Sequence, residues 1–185
     1  RVMDEVAGCL DAYNELDKQW TIFRDKGTKV ANKMVNTHLR LTYVDVNEWS
    51  TSIKDNINLH RQLKDVMFKS VIDQYQQLYS CYCELSTIVD KLTQRKDTLL
   101  RVHSNYPNNN NLTRFVIVNY FIDIVDMYRG SLNNKQEILQ SVLGCEDRDK
   151  LTLALAAWQS DIHINRDNIS TIQDMFTTQL SMTFP

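Results

Sequence analysis

Histidine and cysteine are the side chains in this sequence best suited to hold a metal ion, carry protons or act as nucleophiles. The four histidines are far apart, and none has a cysteine or carboxylate at a recognised ligand spacing. Cys81 and Cys83 are two residues apart, which on a helix of 3.6 residues per turn separates them by about 200°. A metal shared by these two thiols is therefore not expected. We interpret all four cysteines as reduced structural thiols of an intracellular protein.

Catalytic motifs with a defined spacing are absent from the sequence. It contains no His-Glu-x-x-His, no Gly-x-Ser-x-Gly, no P-loop and no dinucleotide-binding glycine fingerprint. Aspartates and glutamates are spread along predicted helix faces, whereas acid–base catalysis needs a carboxyl group whose pKa is shifted inside a cleft. We therefore predict no catalytic, cofactor-binding or metal-binding residues, and a protein that is not an enzyme.

Charge and hydropathy also restrict the partners. The formal net charge is -2 and the sequence pI is about 6.1, whereas proteins that bind nucleic acid directly carry a dense basic face. Tyr128, Arg129 and Lys135 form a small basic and aromatic group, too small for nucleic-acid binding. No apolar run approaches the ~18 residues of a membrane span. We expect protein partners rather than nucleic acid or a membrane.

Helices are the elements that the composition favours, because 4 Gly and 2 Pro are too few for the turns of a β-rich chain. A first helix is predicted over residues 2–41 and a second from about Asn56 to Tyr106, with a connector at 42–55 that contains Trp49. The first helix has an apolar heptad seam of Val2, Val6, Cys9, Tyr13, Leu16, Trp20, Phe23, Gly27, Val30, Met34 and Leu41. The second has an apolar stripe of Val71, Tyr75, Leu78, Tyr82, Leu85, Val89, Leu92, Leu99 and Tyr106.

Three further helices follow the loop Pro107–Asn111. Thr113 is a plausible N-cap of the third helix, and Gly144 is placed where a C′ glycine ends a helix. Asp147 or Asp149 can cap the fourth helix, and the fifth is predicted over residues 168–180. The third helix has an apolar face of Phe115, Val118, Ile122, Val125, Tyr128, Leu132, Leu139 and Val142.

This pattern predicts an all-α fold, an elongated antiparallel helical bundle or coiled coil with shorter C-terminal helices. Residues 1–106 would form a long-helix coiled-coil hairpin, and residues 107–185 a C-terminal helical module that packs on it as one cooperative unit. A helix over residues 2–41 is ~60 Å long and must lie against other long helices. Whether those helices belong to this chain or to another stays open, as does the oligomeric state. The sequence begins within a periodic pattern, so we expect a preceding segment.

Aromatic residues on these stripes are the candidates for partner contacts. Trp20 and Trp158 are expected to pack in the core, and a contact with another protein is the alternative for each. Gly27 costs the helix about 1 kcal/mol relative to alanine, so a close neighbour, such as a facing aromatic ring, is expected there. Tyr and Arg are enriched in interface hot spots. The partner-binding candidates are Trp20, Phe23, Gly27, Tyr128, Arg129 and Trp158.

Three stretches together resemble the family of cyclin-dependent kinase 2-interacting proteins. These are WTIFRDKGTKVANKMVN (20–36), IDIVDMYRGSLNNK (122–135) and DRDKLTLALAAWQSD (147–161). In each stretch, several residues match the family pattern. They are Trp20, Gly27, Ala31 and Asn36; Asp126, Met127, Tyr128, Arg129, Leu132 and Lys135; and Asp149, Leu151, Thr152, Leu153 and Trp158.

The resemblance implies a non-enzymatic nuclear adaptor that binds cell-cycle kinases and acts in DNA replication and genome maintenance. It also implies a subunit of an assembly with AAA+ ATPases and a second small helical protein, which acts in ribosome biogenesis. That second protein has a Tyr-Arg pair before its last helices, so this chain is alternatively that partner; the Trp20–Gly27 block favours the first assignment. A structural coiled-coil subunit of a cytoskeletal or kinetochore-type complex is the rival function, and an enzyme with a cryptic site is a third.

Overall fold

A computed structural model describes residues 2–43, 57–104 and 112–183. Their elements are helices, with no strand in those ranges, which confirms the all-α class. The predicted connector beyond Tyr43, with Trp49, and the loop Pro107–Asn111 lie outside the described residues. The helices are α1 (Val2–Tyr43), α2 (Ile57–Ser104), α3 (Leu112–Ser141), a 3₁₀ turn (Val142–Gly144), α4 (Arg148–Ser160) and α5 (Arg166–Thr183).

Two of the predicted helix-terminus residues, the N-cap Thr113 and the C′ residue Gly144, are wrong. α3 begins at Leu112, so Thr113 lies inside its first turn instead of capping it. After Ser141 the chain tightens into the 3₁₀ turn, and Gly144 does not adopt the positive φ of a C′ glycine. A 3₁₀ turn satisfies the last carbonyl groups of a helix by i→i+3 bonds, so no left-handed residue is needed there.

The start of α4 confirms one of the two predicted caps. The Asp147 carboxylate accepts hydrogen bonds from the backbone N–H groups of Asp149 at 2.9 Å and Lys150 at 3.2 Å. Its backbone carbonyl also accepts the first helical bond, from Leu151 at 3.0 Å. An N-cap carboxylate satisfies donors that lack intrahelical partners and interacts favourably with the helix dipole. Asp147 therefore fixes the residue at which α4 begins.

Burial along α1 and α2 follows the predicted stripes over most of their length. The buried members of the α1 seam are Cys9, Tyr13, Leu16, Trp20, Gly27 and Met34. Beyond Gly27 the buried face of α1 widens to include Ala31 and Val35. In α2 the fully buried members are Val71, Leu78, Leu85, Val89, Leu92 and Leu99. Cys81 is buried and Cys83 exposed, as their angular separation predicts.

The described residues divide into two compact units, each made of segments distant in sequence. The first unit comprises the described residues of 1–22, 85–133 and 161–185, and the second those of 23–84 and 134–160. Each unit contains part of α1 and part of α2. The division into 1–106 and 107–185 stays a prediction. Within the described ranges, no helix has an apolar stretch long enough to cross a membrane.

Candidate functional site

The six candidate residues lie in two separate side-chain clusters or beside them. Trp20 and Tyr128 belong to the first unit, Gly27 and Trp158 to the second. The three aromatic side chains are fully buried, with 0% exposure each, which agrees with the core interpretation of these residues. Their contacts with a partner stay a prediction. We call the two groups the Trp20 cluster (Tyr13, Asp17, Trp20, Tyr128, Ser131, Asp161 and Arg166) and the Trp158 cluster (Arg24, Gly27, Lys135 and Trp158).

A buried carboxylate organises one half of the Trp20 cluster. The Asp161 carboxylate accepts a hydrogen bond from the Trp20 indole N–H at 3.0 Å and another from the Ser131 hydroxyl at 2.9 Å. Asp161 is 3% exposed and Ser131 is fully buried. Hydrogen bonds to a charged acceptor stabilise by about 1.5–3 kcal/mol when buried. Asp161 therefore links α1, α3 and the segment after α4.

The backbone at Asp161 explains how its carboxylate enters the core. α4 ends at Ser160, and Asp161 adopts φ 47°, the left-handed region that favours Gly, Asn or Asp. Its carbonyl accepts a hydrogen bond from the Ile164 N–H at 2.7 Å, which closes a tight turn before α5. Asp161 thus occupies the C′ position after α4, where glycine is the usual residue. It was not among the predicted site residues.

Two tyrosines and an ion pair form the other half of the Trp20 cluster. The Tyr128 hydroxyl donates a hydrogen bond to the Asp17 carboxylate. Tyr13 must therefore be the donor in the 3.2 Å hydrogen bond between Tyr13 and Tyr128. The Arg166 guanidinium donates to Asp17 at 2.5 Å and to the Tyr128 oxygen at 3.3 Å. The rings of Trp20 and Tyr128 meet edge to face, with centroids 5.0 Å apart. These hydrogen bonds join α1, α3 and the first turn of α5.

Burial keeps both phenols of the Trp20 cluster protonated. It raises the pKa of Tyr13 to about 12 and raises the pKa of Tyr128 further, with neighbouring Tyr13 and Asp17 adding to the effect at Tyr128. Near neutral pH both hydroxyls are therefore neutral groups that donate and accept hydrogen bonds. Chemically, the cluster positions helices: each of these phenols and carboxylates is engaged by a neighbouring side chain.

A glycine under a tryptophan defines the Trp158 cluster. A Cβ atom on Gly27 would lie 2.7 Å from Cζ2 and 2.8 Å from Nε1 of Trp158, so the indole ring rests directly on the α1 backbone. The Trp158 indole N–H also donates to the Arg24 carbonyl at 3.3 Å. The expectation that a bulky aromatic faces Gly27 is thereby confirmed. Only a residue without a side chain leaves space for this ring.

A buried lysine completes the Trp158 cluster. Lys135 is fully buried, and its ammonium donates to the Trp158 carbonyl at 2.8 Å. It also lies 5.4 Å from the centroid of the Trp158 ring, within cation–π range. The sequence contained a signal for this placement, because Tyr128, Leu132, Lys135 and Leu139 follow steps of four, three and four. From the sequence, Lys135 is grouped with Tyr128 and Arg129, and its burial is not predicted.

Gly27 and Gly8 form a matched pair for testing the Trp158 contact. A helical Gly→Ala change alone stabilises by about 0.5–1 kcal/mol, and Gly8 has no atom within 4 Å of an added Cβ. We expect Gly8→Ala to raise the free energy of unfolding by that amount. Gly27→Ala should lower it by about 1–3 kcal/mol, because Trp158 is enclosed and must move. Denaturant titration measures both; equal gains at the two positions would show that the ring does not rest on Gly27.

Phe23 and Arg129 are the candidates outside the buried groups. Phe23 is half-buried on α1, whereas the Arg129 side chain is 45% exposed on α3. Arg129 pairs with Asp126 at 3.2 Å and donates to Thr93 on α2 at 3.4 Å. Among the six, Arg129 is thus the residue whose charged group reaches the surface. Exposed pairs of this kind stabilise by less than about 1 kcal/mol.

Comparison with protein-family models gives no match, and neither does comparison with curated protein sequences. Function must therefore be argued from the residues themselves. Over the described ranges, no group of three or more His, Cys, Asp or Glu side chains is arranged to hold a metal ion. What the two clusters offer chemically is neutral and charge-assisted hydrogen bonding between helices.

Proposed function

We propose that this chain is a non-enzymatic helical adaptor, an elongated antiparallel helical bundle that lies lengthwise against another helical protein. The observation that carries the proposal is the length of α1 and α2, 42 and 48 residues. At 1.5 Å per residue they are ~63 and ~72 Å long. Helices of this length offer a partner extended faces rather than a pocket.

The use of the buried and half-buried polar groups supports this proposal. The carboxylates of Asp17 and Asp161 and the ammonium of Lys135 are held by side chains or carbonyls of neighbouring helices. These contacts fix how helices pack, which is the task of a scaffold. Catalysis would instead place such groups around a substrate cleft.

The partners we propose come from the resemblance to cyclin-dependent kinase 2-interacting proteins. They are AAA+ ATPases, a second small helical protein and cell-cycle kinases, and the setting is nuclear, in genome maintenance and ribosome maturation. The same long helices would also suit a coiled-coil subunit of a cytoskeletal or kinetochore-type complex. The two functions differ in the proteins that bind.

Co-purification separates these functions. The tagged chain is expressed in cells, and the proteins bound to it are identified by mass spectrometry. We expect an AAA+ ATPase and a small helical protein in stoichiometric amounts. Trp20→Asp is the background control: it places a charge at a fully buried position, so it should abolish folding or binding, and proteins recovered with it are chaperones. Recovery of tubulin or kinetochore proteins in place of the ATPase would overturn the proposal.

A further inference from the structure

The first turns of α2 carry apolar residues over a wider face than the rest of that helix. Continued backwards in steps of four, the buried stripe that starts at Val71 passes through Met67 and Leu63, which are half-buried. Together with Leu59 and Val66 beside them, these residues form a second, partly exposed stripe. Leu59 is 45% and Val66 67% exposed. This end of α2 therefore presents an apolar stripe that its own unit leaves partly uncovered.

This second stripe forms one wall of a groove within the second unit. The groove has a volume of about 550 Å³, and its other wall is the last two turns of α1. On α2 the lining residues follow the i, i+3, i+4, i+7 spacing of a single helix face. The residues that line it are Thr37, Arg40, Tyr43, Leu63, Val66, Met67 and Ser70.

The two segments that form the groove carry more basic than acidic residues. Arg40 is its one charged lining residue among the described residues. Over residues 36–43 and 57–70, which carry both walls, the basic residues are Arg40, Arg61, Lys64 and Lys69. Asp65 is the single acidic residue in those ranges. The whole chain has a net charge of -2, so this basic end differs in sign from the remainder.

We propose that the groove of Arg40, Tyr43, Leu63 and Val66 binds an amphipathic helix of another protein, one with an apolar stripe flanked by acidic residues. Two helical walls form a trough that suits a third helix, whose apolar anchors recur at i, i+3 or i+4, and i+7. Burial of Val66 and Tyr43, 67% and 47% exposed, supplies the apolar contribution. Acidic flanks complement Arg40, the charged residue of the groove lining. The inference rests on the proposed adaptor function and specifies its partner surface.

Synthetic peptides test the chemistry of the occupant directly. Two labelled helical peptides of about 18 residues, or five turns, carry leucine at the heptad positions that form the apolar stripe. One peptide has glutamate at the positions on both sides of the stripe and the other has lysine there. The remaining positions are alanine in both peptides. Fluorescence anisotropy with the full chain measures each Kd. We expect the acidic peptide to bind about tenfold more tightly, because its glutamates complement Arg40 and the net basic charge of the segments that form the groove.

Matched variants assign the binding to the groove. Val66 and Leu153 belong to the same unit and are similarly exposed, 67% and 70%. Because both side chains are largely exposed, neither Val66→Asp nor Leu153→Asp should unfold the chain. Val66→Asp should raise the Kd for the acidic peptide by about tenfold or more, and Leu153→Asp should leave that Kd unchanged. Arg40→Glu should remove the preference for the acidic peptide, whereas Lys29→Glu, also exposed on α1, should preserve it.

Four results would overturn the inference. They are equal binding of the two peptides, equal effects of Val66→Asp and Leu153→Asp, a monomer–dimer equilibrium abolished by Val66→Asp, and peptide binding seen only after residues 44–56 are replaced by a Gly/Ser linker. The third would assign the groove to a second copy and the fourth to the chain itself. If the peptides fail but the partners still co-purify, the adaptor function stands without this groove. If the peptides bind as expected but no partner co-purifies, the groove stands and the adaptor function does not.

Discussion

Replacing Trp158 by alanine should lower the free energy of unfolding by about 3–5 kcal/mol, measured by denaturant titration. The indole is fully buried against Gly27, donates to the Arg24 carbonyl and lies under the Lys135 ammonium. Its removal leaves a cavity that α1 cannot fill, since glycine offers no side chain there. The buried Lys135 also loses its aromatic neighbour.

Leu153→Ala is the control on the same helix. Its side chain is 70% exposed, so the change should alter the free energy of unfolding by no more than about 0.5 kcal/mol. Trp158→Phe combined with Gly27→Ala should recover part of the stability that Gly27→Ala alone removes, because the smaller ring leaves space for a methyl group. A loss below about 1 kcal/mol for Trp158→Ala would contradict the packing described for this cluster.

Asp161→Ala should cost about 3–8 kcal/mol, for a different reason. It removes the carboxylate that accepts hydrogen bonds from the Trp20 indole N–H and the Ser131 hydroxyl, and the loss of each bond to this buried acceptor costs about 1–3 kcal/mol. Alanine must also adopt the left-handed φ of 47°, which adds about 1–2 kcal/mol. Thermal and denaturant unfolding of the full chain measure the loss.

Two further substitutions separate the backbone cost from the side-chain cost at Asp161. Glycine tolerates the left-handed backbone but still removes the carboxylate that accepts both hydrogen bonds, so Asp161→Gly should be about 1 kcal/mol less damaging than alanine. Asparagine keeps an acceptor and also tolerates this φ, so Asp161→Asn should be the mildest. If all three variants cost the same, the hydrogen bonds to Trp20 and Ser131 do not determine the stability.

Local sequence patterns predicted much of the helical framework. Few glycines and prolines, together with apolar steps of three and four, gave the all-α class and most buried members of α1 and α2. The aromatic neighbour of Gly27 could be anticipated because an unfavourable residue inside a helix needs a local reason. The Asp147 cap could be anticipated because it precedes an apolar helical repeat.

The residues that the sequence did not reveal are those defined by long-range geometry. Asp161 looks like an ordinary polar residue after a helix, and only its left-handed backbone directs the carboxylate toward Trp20, 141 residues away in the chain. Lys135 is hard to assign because a lysine at a heptad position is usually expected at the surface. The prediction of a C′ glycine at Gly144 was wrong because glycine permits a left-handed backbone without requiring one.

The interleaving of the two units has a consequence for synthesis on the ribosome. Tyr13 bonds to Tyr128, 115 residues later, and Asn14 to Gln173, 159 residues later. At a translation rate of about 5–20 residues per second, Tyr128 is added about 6–23 s after Tyr13. Helix–coil relaxation takes about a microsecond or less, so the α1 segment samples its helix, with the apolar stripe uncovered, long before the later helices are made. We expect the emerging chain to depend on chaperones that shield this stripe until the later helices have left the ribosome.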